Sequence, residues 1–307
     1  MISKRIILYF IFLTVIHTQV FSQIEITHNI TIDDGLAYSQ VTSAYEDSRG
    51  IMWFGTSAGL SEWNSVEFKN YFKSDGIPST FISSICEDKH NNLFVATNKG
   101  LAVKDKKKFI IPSNLPKELN SSINKLFRDS KGILYILTEK YGTWKFEGQY
   151  FSQISLEDSS NKIIPLSIIE RENGDILIGT KHKGVFKLRE NKLYNFCYQK
   201  ICAKYPVVDL VEQNKDTLYI ALKGLGIILK SKNGKYKNGN TFITLKQGLP
   251  SKYVNDLSID PSGKLFAATS NGVAVIKGDK VLKIINADSG LDNEFVISIF
   301  PYGNDSF

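Results

Sequence analysis

The 307-residue chain has three cysteines and four histidines, and beyond its first 16 residues no apolar run long enough to span a bilayer. An odd, small cysteine count argues against a disulfide scaffold, and none of the three has zinc-site spacing. Cys86 falls in the apolar pattern of Phe81, Ile82 and Ile85 and reads as a small core residue. Cys197 and Cys202 are close enough to close a short loop in an oxidising compartment, and their pairing stays open. His28, His90 and His182 form no metal or triad pattern, and His90, in a turn, is expected to be exposed. There is no nucleophile–base pair and no glycine-rich phosphate loop. No cofactor, metal site or catalytic residue is therefore expected.

The N-terminus stands apart. Lys4 and Arg5 precede the apolar run 6–16, and a small-residue end follows at Val20-Phe21-Ser22. That order is a secretory signal peptide over 1–22, with a mature chain over 23–307 and an exported, periplasmic or extracytoplasmic location. Removing it lowers the net charge from +7 to +5. The excess is spread over hairpins such as 104–108, which read as solvated turns, so no nucleic-acid partner is expected.

What the chain does have is a phrase that returns about every 42 residues, a spacing typical of propeller blades. Anchored on its turn, the phrase recurs at Gly50, Asn91, Gly132, Gly174, Asp216 and Gly263. Three residues later stand Trp53, Phe94, Tyr135, Leu177, Tyr219 and Phe266. In the first repeat, 41–45 is a short strand and Asp47–Gly50 a turn. A β-rich strand at 51–56, a bend at Gly59, a strand at 60–63, a turn at Asn64-Ser65 and an outer strand at 66–71 complete it. This makes a four-stranded antiparallel meander with no room for helices. The Trp53 series should fill the space between neighbouring sheets. Asp47, Asp88, Asp129 and Asp260 supply one carboxylate per turn, far from the six or so oxygens a calcium site needs, so they read as turn residues.

The fold class expected is an all-β propeller of four-stranded antiparallel blades, six complete blades plus a partial seventh. The blades run roughly 33–74, 75–112, 113–155, 156–197, 198–246 and 247–287, with a partial one at 288–307 and an outer strand at 24–32. Gly290-Leu291 begins a seventh repeat whose next Gly-Thr strand falls due near 311, so the chain reads as a piece of a longer protein.

The recurring pattern is Gly-Leu-x4-Val, an Asp-x-x-Gly turn, then apolar-Trp-apolar-Gly-Thr-x-x-Gly-Leu. It resembles the two-component regulator propeller repeat. The first repeat matches nearly throughout, with Gly35-Leu36, Val41, Asp47, Gly50, Trp53, Gly55-Thr56 and Gly59-Leu60. The second and sixth match well, through Asp88, Ala96-Thr97 and Gly100-Leu101, then Gly248-Leu249, Val254, Asp260, Gly263, Thr269 and Gly272. The third to fifth are degenerate, and Leu222 stands where the fifth should have threonine. The resemblance covers essentially all of the mature chain. It implies a periplasmic sensor region of a membrane histidine kinase, often a hybrid one, whose ligands are commonly glycan fragments. No kinase part lies in these residues, so the chain itself is not expected to be an enzyme. The implied partners are a small-molecule or oligosaccharide ligand, a histidine kinase module in cis or trans, and a second copy dimerising through downstream parts.

A ligand should meet the loops at the channel mouth, since rigid scaffolds present binding residues on loops. The loops entering each innermost strand hold Tyr38, Gln40, Phe81, Tyr253 and Asn293. Those after each Gly-Thr hold Asn98, Lys140, Lys181, His182, Lys223 and Asn271. Aromatic faces with amide and cationic donors suit a polyhydroxylated or acidic saccharide. Two other readings stay open from spacing alone: a propeller lyase or hydrolase acting on carbohydrate, with acids gathered from several blades, and a protein-interaction platform.

Overall fold

The computed structural model describes residues 29–156, 162–197, 199–202, 204–231 and 240–300. The expected signal peptide, residues 24–28 of the expected outer strand and residues 301–307 lie outside them, as do the side chains of Cys197 and Cys202. Six antiparallel sheets follow one another along the chain. In the first, Val41–Glu46, Met52–Thr56, Leu60–Trp63 and Phe68–Tyr71 pair in sequence order. The innermost strands of the six are Val41–Glu46, Ile82–Glu87, Ile123–Arg128, Pro165–Glu170, Val207–Asn214 and Val254–Ile259, and successive ones touch. This is a six-bladed propeller array. Helix among the described residues is limited to the turn Gln199–Cys202 and five short 3-10 turns, and no helix there is long and apolar enough to cross a membrane.

The turns explain why the repeat folds as it does. Asp47 Oδ1 accepts the N–H groups of Arg49 and Ile51, at 2.9 and 3.1 Å. Asp88 and Asp129 do the same for the residues two and four places on. The carboxylates are consumed in holding the turn, as one-carboxylate sites should be. Gly50, Asn91, Gly132, Gly174 and Gly263 all have positive φ. The fifth turn departs from the phrase: Asp216 has no positive φ, and Asn214 pairs directly with Thr217 in a tighter hairpin.

The aromatic series packs between sheets. Trp53, Leu177 and Tyr219 are fully buried, and Phe94, Tyr135 and Phe266 nearly so. Trp53 also donates from Nε1 to Asp47 Oδ2 at 2.9 Å, so the blade's core residue is tied to its own turn. Tyr135 OH makes the equivalent bond to Asp129 Oδ2 at 3.2 Å. Burial pushes the Asp47 carboxyl up, but hydrogen bonds from Arg49, Trp53 and the turn N–H groups outweigh it and hold it below the usual carboxylate value. Asp47→Ala strands the buried indole N–H and is expected to lower stability by about 2 kcal/mol in chemical denaturation. An unchanged midpoint would count against the tie.

Two boundaries differ from expectation. Ser155–Leu156 pairs in parallel with Lys192–Cys197, giving the fourth blade a fifth strand instead of extending the third. The third blade's outer strand is only Phe151–Gln153, and beyond it the Ser155 N–H finds its acceptor on Asn191 O. The expected partial seventh blade does not form a sheet: residues 291–300 contain no strand, residues 29–31 are not a strand, and Ile32–Asp34 is a 3-10 turn capped by Thr31. Leu291, Val296 and Ile299 instead pack on Phe266, Val273, Val275 and Ile285 of the sixth blade. A ladder needs partners on a neighbouring strand, and the backbone of this stretch is bonded toward the sixth blade, through Thr269, Gly272, Asn255 and Asp256, while Asp292 accepts only a side-chain bond from Asn29 among the described residues.

Candidate functional site

The two loop sets do meet on one face. The residue after the Gly-Thr pair, or its equivalent, donates its N–H to a carbonyl at the foot of the same blade's innermost strand. The pairs are Ser57 to Gln40, Glu139 to Ser122, Lys181 to Ile164, Lys223 to Pro206 and Ser270 to Tyr253, at 2.9–3.1 Å. Each threonine holds its own bend, as when Thr56 Oγ1 donates to Gly59 O and accepts from Ala58 N. In the fifth blade the Leu225 N–H bonds to Leu222 O in its place.

At this face lies a cavity of about 270 Å³ lined by Phe81, Ser83, Asn98, Ser122, Ile123, Asn124, Leu166 and Val208. It joins residues of the second to fifth blades at the mouth of the central channel. Ser83 Oγ donates to Ile123 O at 2.6 Å and Asn124 Nδ2 to Pro165 O at 2.9 Å. These bonds latch each innermost strand to the next, so the floor is rigid while Phe81 and Asn98 stand exposed at the rim.

The structure thus brings Phe81 and Asn98 together. It places Tyr38, Gln40 and Asn293 around a different cavity, of about 720 Å³, between the first blade and the 291–300 stretch. Lys140, Lys181, His182, Lys223, Tyr253 and Asn271 line neither cavity. They stand on the loops of the other blades, all exposed except the half-buried Lys181. Lys140 lies over its neighbour Tyr141, 5.2 Å from the ring centroid. His90 is exposed on its turn.

Deeper in the channel is a set of residues that sequence reasoning passed over. Every innermost strand has a register shift between its first and third residues. At these bulges the third residue bonds across to the next blade, as when Ser84 Oγ accepts the Leu126 N–H, Ser167 Oγ donates to Val207 O and Asp209 Oδ2 accepts the Leu257 N–H. These third residues are Ser43, Ser84, Lys125, Ser167, Asp209 and Asp256, and Ser298 stands in the same phase beyond the sixth blade. Burial disfavours charge on Lys125, but Asp209 and Asp256 outweigh it and keep the ammonium charged. Burial and the Asp256 charge push the Asp209 carboxyl up, to about 8, against the opposing pull of Lys125. Reading the third position of each repeat, Ser, Ser, Lys, Ser, Asp, Asp, would have exposed this set. Among the described residues no three His, Cys, Asp or Glu side chains are placed to hold a metal ion.

The two-component regulator propeller family matches residues 35–58 and 76–99, the first two repeats. No curated protein matches the chain. The chain is similar in fold to the extracellular domain of a hybrid two-component system from B. thetaiotaomicron, with 16% identity and a TM-score of 0.68. That likeness covers 89% of this chain and 37% of the other, so the chain spans little more than a third of that domain. It is also similar to PorZ, a surface component of the type-IX secretion system of Porphyromonas gingivalis, with 16% identity, a TM-score of 0.56, and 76% and 38% of the two chains covered. Virginiamycin B lyase from Staphylococcus aureus shares 12% identity at a TM-score of 0.59, over 79% and 82%. At such identities the likeness is one of fold.

Proposed function

We propose that this chain is an exported ligand-sensing region of a two-component receptor, and that it binds a saccharide fragment at the channel mouth. The observation that carries the reading is the match of the first two repeats to the two-component regulator propeller family. The mouth geometry supports it: Phe81 offers a ring face at the rim, while Asn98, Ser122 and Asn124 bring amide and hydroxyl groups to the same cavity. Lys140, Lys181 and Lys223 on the surrounding loops add cationic donors for an acidic sugar, and His182 adds a hydrogen-bonding ring. A kinase module in cis or trans and a second copy of the receptor complete the signalling unit.

The test is calorimetric titration of the full chain with a panel of neutral and acidic oligosaccharides. Phe81→Ala and Asn98→Ala are each expected to weaken binding about tenfold without changing the circular dichroism spectrum, the loss of one stacking or hydrogen-bonding partner. Absence of binding across the panel, or binding indifferent to both substitutions, would sink the reading. Mass spectrometry of the incubated sugars separates it from a propeller lyase or hydrolase, which would leave cleavage products.

A further inference from the structure

The mouth cavity has two unlike halves, and the difference traces to one position of the repeat. The second residue of each innermost strand is Thr42, Ser83, Asn124, Leu166, Val208 or Asn255. The four polar ones each donate to a backbone carbonyl 40 or 41 residues further on. Thr42 Oγ1 bonds to Ile82 O, Ser83 Oγ to Ile123 O, Asn124 Nδ2 to Pro165 O and Asn255 Nδ2 to Val296 O, at 2.5–2.9 Å. Leu166 and Val208 break the series. In their blades the third residue does the joining: Ser167 Oγ donates to Val207 O at 3.1 Å, and Asp209 Oδ2 accepts the Leu257 N–H at 3.0 Å. The second position is thereby released from holding the ring together. In both blades it is aliphatic, half-buried and on the wall of the mouth cavity.

The second and third blades bring Phe81, Asn98, Ser122 and Asn124 to this cavity, and the fourth and fifth bring Leu166 and Val208. Among the described residues no side chain lining it carries a charge, and the lysines of the loops stand outside it. The unit seated there is therefore a neutral one. A volume of about 270 Å³ lies at the small end of ligand cavities and admits one sugar ring, not a chain of them. A ring that stacks on Phe81 and turns its hydroxyl edge to the amides meets Leu166 and Val208 with its far edge. A hydroxyl there gives up water against two aliphatic side chains, whereas a methyl group gains apolar contact.

We propose that Leu166 and Val208 make the mouth cavity selective for a neutral sugar unit that carries a methyl group on its far edge. This rests on the reading of the mouth as a saccharide site. Such a methyl belongs either to a 6-deoxy sugar or to the acetamido group of an N-acetylated one.

The test uses D-glucose, 6-deoxy-D-glucose and N-acetyl-D-glucosamine, with the same three forms in the galacto and manno series. Binding to the full chain is followed by ligand-observed NMR. In the series that fits, a methyl-bearing form is expected to bind about tenfold more tightly than its parent hexose. Which of the two forms does so separates the 6-deoxy source from the acetamido source. Val208→Thr exchanges a methyl for a hydroxyl at nearly the same volume, and is expected to bring the two forms to within about twofold of each other. Phe81→Ala is expected to weaken both. The proposal is overturned, with the saccharide reading left standing, by any of three results. The parent hexose binds as tightly as its methyl-bearing forms in every series, the preference is unmoved by Val208→Thr, or oligosaccharides bind while none of these sugars does. If neither these sugars nor the oligosaccharide panel bind, the saccharide reading falls and the proposal with it. Should Val208→Thr fail to fold, nuclear Overhauser contacts in the unmodified chain decide. Contacts from the ligand methyl to the Leu166 and Val208 methyl groups uphold the proposal, and contacts confined to other residues overturn it.

Discussion

Trp53→Ala is expected to lower the stability of the propeller by about 4 kcal/mol in chemical denaturation, the usual scale for removing a large buried aromatic. Trp53 has no exposed surface, and it sits where the first blade faces the second. Its ring packs against Tyr71 at 5.9 Å between centroids and edge-on to Phe109 of the next blade at 6.5 Å. Lys104 Nζ lies 5.6 Å above it and closes the outer side. No neighbour is free to fill the space, because each is itself held in a sheet. Trp53→Phe keeps most of the ring contact and forfeits the bond to Asp47, so its loss should be near about 2 kcal/mol. Equal losses for the two variants would mean that the hydrogen bond, and not the packing, carries the residue's contribution.

Gly76→Ala is expected to cost about 3 kcal/mol, while Gly248→Ala, at the same place in the repeat, should cost about 1. Both glycines close the 3-10 turn that opens a blade, with φ of +97° and +95°. The conformational penalty for a side chain is therefore common to both. At Gly76 an added Cβ would run into the backbone carbonyl of Phe109, which is held by the outer strand Lys108–Ile110 and cannot swing aside. At Gly248 the nearest atom is Val281 Cβ at 3.5 Å, an ordinary contact. Thermal or urea unfolding of the two variants reads the difference. Equal losses would show that backbone conformation alone accounts for the glycine at this recurring turn.

Much of this was legible from residues. Trp53, Phe94, Tyr135, Leu177, Tyr219 and Phe266 occur at a spacing that only a blade-by-blade packing explains, and all six are buried between sheets. Asp47 and its echoes read as turn residues because a four-residue turn needs one acceptor, and their oxygens are spent on backbone N–H groups. The candidate site was legible only in outline. The loops that hold Phe81 and Asn98 share one face, as their positions in the repeat require, yet Tyr38, Gln40 and Asn293 stand around a separate cavity. Which loops converge depends on how the ring is spaced and where it lacks a neighbouring sheet. A local pattern carries no information about either.

The channel cluster marks the division between the two levels. The chain by itself determined the period, the four-stranded blade and the burial of the aromatic series. Each of these is dictated by interactions within one repeat or between it and the next. Lys125, Asp209 and Asp256 stand 84 and 47 residues apart along the chain. Neither spacing has a meaning until the ring bends the blades around an axis. Only then do three ordinary surface-type residues, from the third, fifth and sixth blades, come to feel one another's charge in one buried space. Charge interaction falls off with distance and with solvent, and both of those were decided by the tertiary structure.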